Sequence, residues 1–347
     1  MKKYVPYQML ICIAVLLLTA CAATPETLTV MTHDSFAVSE QIIRAFEEEH
    51  GVKINFLLSG DTGSMLNRAI LTKNAPIADV LYGVDNTFLS RALLEDIFIA
   101  YDSPLLKHIP EDLQLDTSNR ALPVDYGDVC INYDKKYFEE NDLEIPRSLD
   151  DLLDPRYYGL LVVQNPATSS PGLAFLLTTI ANYGEEGYLE YWDALKQNGV
   201  VVVNDWETAY YSNFSASSGK GAQPMVVSYA TSPPAEVIFA EQAMLEAPTA
   251  SIVAPDTCFR QIEFVAIIKG TQKRQLAEKF VDFMLSVPFQ EDIPLQMFVF
   301  PANINAGIPQ EFIDYAQVPE QPARLDFNLI AANRETWIES WREVVLQ

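Results

Sequence analysis

The chain reads LTVMTHDSFAVSEQIIRAFEEEHGVKINFLLSGDTGSMLNRAILTKNAPIADVLYGVDN over residues 28–86, and this stretch decides the fold. Strand-like apolar runs at 28–31, 52–58 and 78–82 alternate with helical patterns, the second of them at 65–71 after a turn at 60–64. This alternation predicts an α/β fold with a parallel sheet. Ligands of such sheets bind beyond the carboxyl ends of the strands. Those ends carry His33-Asp34-Ser35, Gly60 to Ser64, and Asp85-Asn86.

The second half of the chain repeats this pattern. Strands predicted at 160–163, 200–203 and 225–229 end in polar or aromatic residues, namely Asn165 to Ser170, Trp206, and Tyr229 to Ser232. Two longer strand patterns, at 122–133 and 262–268, are placed to cross between the halves. We therefore expect two α/β lobes that close by a hinge over a shared cleft. Residues 28–124 and 264–347 would form the first lobe, and residues 125–263 the second.

The N-terminus has the layout of a secretory signal. Lys2 and Lys3 precede the apolar run Met9 to Leu18, and Leu18-Thr19-Ala20-Cys21 resembles a bacterial lipobox. This predicts a signal peptide at 1–20, lipid on Cys21 and a lipidated tether at 21–27. The alternative is an uncleaved helix, but the apolar run falls short of the roughly 20 residues that span a bilayer. We expect an exported protein of the cell envelope, held to a membrane by its lipid.

Composition excludes several functional classes. The 347 residues carry a net charge of −24, which repels nucleic acid and is compatible with a cationic ligand. Three scattered histidines and the lack of a CxxC or HExxH motif argue against a dedicated zinc site. In the favoured interpretation we expect neither a metal nor a cofactor. Beyond the N-terminal segment, Cys130 and Cys258 remain, and the sequence leaves a disulfide and two free thiols open. We expect a monomer.

Polar turns and aromatic residues at strand ends are the candidate ligand contacts. The turns around Asp61-Thr62 and Ser169-Ser170 suit a polar or anionic group at a helix N-terminus, although ordinary N-capping explains them as well. Trp206 and Tyr229 could stack on a ring or hold a cation. Carboxylates near them would favour a cation, and Asp61, Asp85 and Asp125 are the candidates for that role.

The order of these motifs resembles the thiamine-binding receptors of ABC importers. The motifs are THDSF (32–36), SMLNR (64–68), GVDN (83–86), VDYG (124–127), TSSPGL (168–173), WETAY (206–210) and SYATSP (228–233). The resemblance implies a type II periplasmic-binding-protein fold, with thiamine or a thiamine phosphate as ligand. It also implies delivery to the permease and ATPase of the importer. The ligand contacts that it implies are Asp61, Thr62, Ser169, Ser170, Trp206, Tyr229, Ala230, Thr231 and Ser232, with His33, Asp85, Asp125, Tyr210 and Phe298 as further candidates.

The chain departs from that family at three places. His33 stands where the family has tyrosine, Phe298 stands where it has tryptophan, and Gly60-Asp61-Thr62 replaces a Glu-Asp-Gly turn. Phenylalanine is a weaker partner than tryptophan for a cation. These changes favour either lower affinity or a related pyrimidine or thiazole compound as ligand.

Other functions stay open on the sequence alone. The adjacent tyrosines Tyr210 and Tyr211 suit a ferric-iron receptor of the same fold, and carboxylates with aromatic residues suit a polyamine receptor. An envelope hydrolase is less favoured, because the sequence has neither a Gly-x-Ser-x-Gly elbow nor a P-loop. His33 and Ser35 are neighbours, but no acidic residue at a recognisable spacing completes a catalytic triad with them. We therefore predict no enzyme activity and no catalytic residue. The choice between thiamine and its phosphates is left undecided.

Overall fold

A computed structural model describes residues 25–218, 220–240, 242 and 244–347. The predicted signal peptide and the lipidation residue Cys21 lie outside this range. The first strand begins at Glu26, inside the predicted tether. Within the described residues, no helix combines the length and the apolar character needed to cross a membrane.

Strands and helices alternate along most of the described chain. The strands are β1 (Glu26–Thr32), β2 (Val52–Leu58), β3 (Val80–Asp85), β4 (Phe98–Ile99), β5 (Leu122–Asp134), β6 (Leu161–Gln164), β7 (Val201–Val203), β8 (Met225–Tyr229), β9 (Thr249–Ile252), β10 (Phe259–Ile268) and β11 (Phe300–Pro301). The α-helices are α1 (Glu40–His50), α2 (Thr62–Leu71), α3 (Leu89–Leu94), α4 (Lys135–Glu140), α5 (Ser170–Gln197), α6 (Ser215–Ser218), α7 (Ser232–Ile238), α8 (Arg274–Leu285), α9 (Val287–Gln296), α10 (Gln310–Tyr315) and α11 (Phe327–Val345). Short 3-10 helices lie at Leu106–His108, Glu111–Leu113, Asp150–Leu153 and Pro155–Tyr157, and a π-helical segment lies at Thr208–Asn213.

One sheet runs through the molecule in the order β2-β1-β3-β10-β5-β8-β6-β7. The strands β2, β1 and β3 are parallel to one another, and so are β8, β6 and β7. The long strands β10 and β5 lie between these two parallel groups and pair antiparallel. This arrangement confirms the predicted α/β class and the two crossing strands. The predicted lobe boundaries, after residues 124 and 263, fall inside β5 and β10 and stay a prediction.

Helix α2 begins earlier than the sequence pattern predicts, and helix α5 contains a break. Helix α2 begins at Thr62 rather than at residue 65, because Asp61 accepts a hydrogen bond from the Thr62 amide and caps the helix. Gly184 interrupts helix α5 with a φ of 70°. A positive φ of this kind costs glycine little, because it has no Cβ.

The C-terminal helix α11 packs against both halves of the chain. Trp341 is fully buried, and its ring meets the ring of Trp192 in α5 edge-on at 5.5 Å. On another side of α11, the Arg334 guanidinium lies 4.1 Å from the centre of the Phe88 ring, just before α3. The helix therefore connects residues of the predicted first and second lobes.

Cys130 of β5 and Cys258, just before β10, form a disulfide across 128 residues of sequence. Both residues are buried, and Ala230 packs against them. Of the two states that the sequence left open, the structure has the disulfide. The bond ties the two crossing strands together beside their antiparallel pairing.

We expect the double substitution Cys130→Ser and Cys258→Ser to lower the free energy of unfolding by about 2–5 kcal/mol, because the open chain regains the entropy of a long loop. Urea denaturation of the variant and the wild type measures this difference. Wild-type protein that is unfolded in the presence of a reductant should have the same free energy of unfolding as the variant. Equal stability of all three would contradict the prediction.

Candidate functional site

A cavity of about 770 Å³ lies where the carboxyl ends of the two parallel groups meet. Many of the residues predicted as ligand contacts line it, and they come from distant parts of the chain. These lining residues are His33, Asp61, Thr62, Ser170, Trp206, Tyr210, Tyr229, Ser232 and Phe298. The expectation that the ligand site lies beyond the carboxyl ends of the strands therefore located the cavity correctly. Contact with a ligand stays a prediction for each residue.

Five other predicted contacts lie behind the lining. Ser169, Asp85 and Thr231 are fully buried, and Asp125 and Ala230 are nearly so. Ala230 packs on the disulfide, and Asp125 lies beside Tyr82. Ser169 and Asp85 stand directly behind the lining residues Asp61 and Ser170. These five residues support the cavity wall in the structure described here.

Carboxylates from the first parallel group meet the N-terminal end of helix α5. The Ser170 hydroxyl, at the first position of α5, donates to Asp85, which also accepts from the amide (2.6 Å) and hydroxyl (2.5 Å) of Thr87. Asp61 lies close to Ser169, the residue that precedes the helix. Positive partial charge at a helix N-terminus attracts such carboxylates. The contact joins residues of the two predicted lobes.

Burial changes the acidity of both carboxylates. It raises the pKa of Asp61 and of Asp85 to about 6, although hydrogen bonds from Thr62 to Asp61 and from Ser170 to Asp85 oppose the change. Oδ2 of Asp61 is buried and has no hydrogen-bond partner. Asp61 therefore offers an unused acceptor at the cavity.

Aromatic side chains form one wall of the cavity. Trp206 and Tyr210 stack with ring centres 5.0 Å apart and planes inclined by 17°. The indole Nε1 of Trp206 donates to the Ser228 hydroxyl at 2.9 Å, which fixes the orientation of the ring. Tyr229 meets Trp206 at 6.5 Å, and a Cβ at Gly127 would come within 2.9 Å of the Tyr229 ring. Flat aromatic faces held this firmly can stack on a heterocycle or a cation.

Phe298 forms the opposite wall with Phe239, at a ring distance of 5.1 Å. Its backbone φ is 58°, in the left-handed region that a bulky residue rarely adopts. The position follows the end of α9, where a glycine commonly ends a helix. A strained aromatic residue in place of glycine indicates that the ring itself serves the cavity.

The floor of the cavity contains a buried ionisable cluster that the sequence analysis missed in part. Oε1 of Glu263 lies 3.6 Å from Nε2 of His33, and Oε2 of Glu263 lies 3.0 Å from the Tyr82 hydroxyl. Tyr82 also contacts Asp125, and Gln261 donates to the Tyr229 hydroxyl at 3.0 Å. Burial is the largest single influence on the pKa of His33 and lowers it, but the charge and hydrogen-bonding of Glu263 together with the charges of Asp61 and Asp85 outweigh burial, so the pKa of His33 is raised.

Glu263 is the most informative residue that the sequence analysis did not select. It is the single acidic residue in the strand sequence FRQIEFVAII, and a charged residue in so apolar a strand is a signal of function. Glu236 and Phe36 also line the cavity. Their surrounding sequence carries no comparable signal, because helices and loops commonly contain such residues.

The lining is strongly acidic. It includes Asp34, Asp61, Glu207, Glu236 and Glu263, and among the described lining residues there is neither lysine nor arginine. Of the lining side chains that the structure describes, only His33 can carry a positive charge near neutral pH. This balance of charge favours a cationic ligand.

Comparison with known proteins agrees with the geometry. Residues 75–320 match the family model of the bacterial extracellular solute-binding proteins. The chain belongs to this family. It is 31% identical to the thiamine-binding periplasmic protein of Brucella suis, over 94% of this chain and 95% of that relative. The resemblance predicted from the motifs is thereby confirmed.

Solved structures place this solute-binding protein among two-lobed type II periplasmic binding proteins. A periplasmic thiamin binding protein matches it with a TM-score of 0.81 and 26% identity, over 93% of this chain and 98% of that one. The ferric binding protein of Campylobacter jejuni matches with a TM-score of 0.73 and 20% identity, over 91% and 99% of the two chains. The second match shows the shared fold alone.

We expect Phe298→Gly to be more stable than Phe298→Ala by about 1 kcal/mol, because both variants lose the ring but only glycine relieves the left-handed backbone. Thermal or urea denaturation of the two variants measures the difference. Equal stability, or a more stable alanine variant, would mean that the backbone at residue 298 carries no strain.

Stability of the ligand-free protein should fall as pH rises from about 5 to 7. An unfolded aspartate titrates near pH 4, whereas Asp61 and Asp85 titrate at about 6 in the fold, so the folded state binds more protons between these values. Asp61→Asn keeps the helix cap but removes one of these carboxyl groups. Urea denaturation at pH 5, 6, 7 and 8 should therefore show a weaker pH dependence in this variant.

Glu48→Gln is the matched control, since Glu48 is an exposed carboxylate on α1. Its pH dependence should equal that of the wild type. If Asp61→Asn and Glu48→Gln both follow the wild type, burial of Asp61 does not couple its protonation to folding.

Proposed function

We propose that this solute-binding protein is an exported, lipid-anchored receptor that captures thiamine and delivers it to the permease and ATPase of an ABC importer. The observation that carries the proposal is the cavity itself, whose described lining combines aromatic walls with five carboxylates and contains no lysine or arginine. Thiamine is a cation with two aromatic rings, and this chemistry complements such a lining. The similarity to thiamine-binding periplasmic proteins supports the same ligand.

Each part of the cavity has a role in this proposal. Trp206 and Tyr229 offer flat faces for stacking, and Phe298 supplies an apolar face from the other side. Asp61 and Glu263 contribute negative charge and hydrogen-bond acceptors. Ser170 lies where the hydroxyl or phosphate end of the ligand could bind. The cavity binds and releases the ligand unchanged, so we propose no enzyme activity.

Closure of the lobes is the proposed means of capture. Hinged closure excludes water from the ligand and creates a surface that a membrane transporter can recognise. The lipid on Cys21, removal of residues 1–20 and a monomeric state belong to the same proposal. A receptor held at the membrane surface stays close to its transporter without further contacts.

Ferric iron fits this cavity less well than thiamine. A ferric site needs phenolate oxygens, but the Tyr210 hydroxyl donates to Glu236 at 2.5 Å. Burial, followed by the charge of Glu236, raises the pKa of Tyr210 well above its usual value and so opposes the phenolate. A polyamine would satisfy the carboxylates, but it has no ring to stack against Trp206.

We expect Trp206→Ala to weaken thiamine binding by about 1–3 kcal/mol, since it removes both the stacking face and buried apolar surface. Trp206→Phe is the matched control, because it keeps a ring and should lose less. Isothermal titration of the purified full-length chain measures both, and thiamine should quench the tryptophan fluorescence of the wild type.

Titrations with thiamine monophosphate, thiamine diphosphate and spermidine run alongside. An unchanged affinity in Trp206→Ala would refute stacking. A wild type that binds none of the thiamine compounds would refute the ligand assignment, and a visible absorption band after addition of ferric iron would favour the iron receptor instead.

A further inference from the structure

His33 contributes a buried donor atom whose partner among the described residues, Oε1 of Glu263, lies 3.6 Å away, beyond hydrogen-bond distance. The residue is 6% exposed and lines the cavity, yet its Nε2 has no hydrogen-bond partner. An unsatisfied polar atom costs the fold roughly 1–3 kcal/mol. Such an atom in the wall of a binding cavity points to a ligand that satisfies it.

The position of the His33 ring is built into the fold. A Cβ at Gly83 would lie 2.3 Å from His33 Cδ2, so only glycine allows the ring to rest on β3. Gly83 has a φ of 99°, and its carbonyl accepts a hydrogen bond from the Thr62 hydroxyl at 3.0 Å. The lack of a side chain at residue 83 therefore lets the ring lie directly against the backbone of β3 at the cavity floor.

An acceptor stands beside this donor. Oε1 of Glu263 is 3.6 Å from Nε2 of His33, and Oε2 is held by the Tyr82 hydroxyl at 3.0 Å. Gln261 approaches Oε1 at 3.4 Å from the same strand. The cavity floor thus presents one donor and one acceptor, side by side and fixed by their neighbours.

We infer that His33 and Glu263 bind the aminopyrimidine edge of the ligand, with Glu263 accepting from the exocyclic amino group and His33 donating to the adjacent ring nitrogen. This inference rests on the proposed function. An aminopyrimidine offers a donor and an acceptor on neighbouring atoms, in the order that complements this pair. The thiazolium ring is then left for the aromatic walls, where its charge meets the faces of Trp206 and Tyr229.

The 4-oxo analogue of thiamine tests the pairing directly. In it a carbonyl replaces the amino group and the neighbouring ring nitrogen carries a proton, so donor and acceptor are exchanged. Isothermal titration of the wild type should give affinity for thiamine at least roughly tenfold higher than for the analogue, because both polar contacts become mismatched. The analogue with a pyridinium ring in place of the thiazolium keeps the aminopyrimidine and should bind within a few-fold of thiamine.

Two substitutions assign the discrimination to His33. His33→Phe keeps a ring but removes the donor, and it should weaken thiamine binding about tenfold while reducing the preference over the 4-oxo analogue. His33→Gln restores a donor nitrogen at a similar distance and should recover part of that preference. His108→Phe, at a histidine outside the cavity lining, is the matched control and should bind as the wild type does.

Each outcome decides between the inference and the proposed function. Equal affinity of the wild type for thiamine and the 4-oxo analogue overturns the inference alone, as does full discrimination in His33→Phe. Failure of the wild type to bind thiamine overturns the proposed function and the inference with it. If His33→Phe does not fold, the wild-type comparison and His33→Gln still decide the question.

Discussion

Asp125 and Glu263 lie opposite each other on the two antiparallel strands that cross the molecule, and Tyr82 contacts both carboxyl groups. One phenolic proton can satisfy only one of them. Burial, then the charge of Glu263, raises the pKa of Asp125 well above its usual range, so Asp125 keeps its proton. The arrangement of carboxyl groups at the cavity floor depends on this sharing, and His33 lies at its edge, 3.6 Å from Oε1 of Glu263.

The cavity combines this charged floor with walls whose orientation is fixed from behind. Ser228 holds the indole of Trp206, Gly127 leaves room for Tyr229, and a strained backbone presents Phe298. Rigid aromatic faces lose little entropy when a ligand binds. Strain at Phe298 and buried carboxyl groups at Asp61 and Asp85 cost stability in the free protein, and a bound cation would offset part of that cost.

Local patterns in the sequence predict much of this architecture. Alternating apolar runs and turns gave β1 to β3, and the long apolar pattern at 122–133 gave the crossing strand β5. Trp206, Tyr229 and Asp61 were found because they follow strands. Glu263 was missed because it lies inside a strand, and its exposure to the cavity depends on pairing with residues far away in the sequence. Ser169 and Asp85 were selected as contacts, but they lie behind other residues, and burial of this kind depends on tertiary packing.

The C-terminal helix α11 imposes a condition on any opening of the cleft. Its Trp341 packs against Trp192 of α5, in the predicted second lobe. Its contacts with the predicted first lobe, to which the helix was assigned, include Arg334 over Phe88 and an ion pair of 3.9 Å between Arg91 and Glu335. Separation of the predicted lobes would therefore have to break one of these two sets of contacts. A helix that touches both sides of the cleft in this way would limit how far, and how easily, the cleft could open.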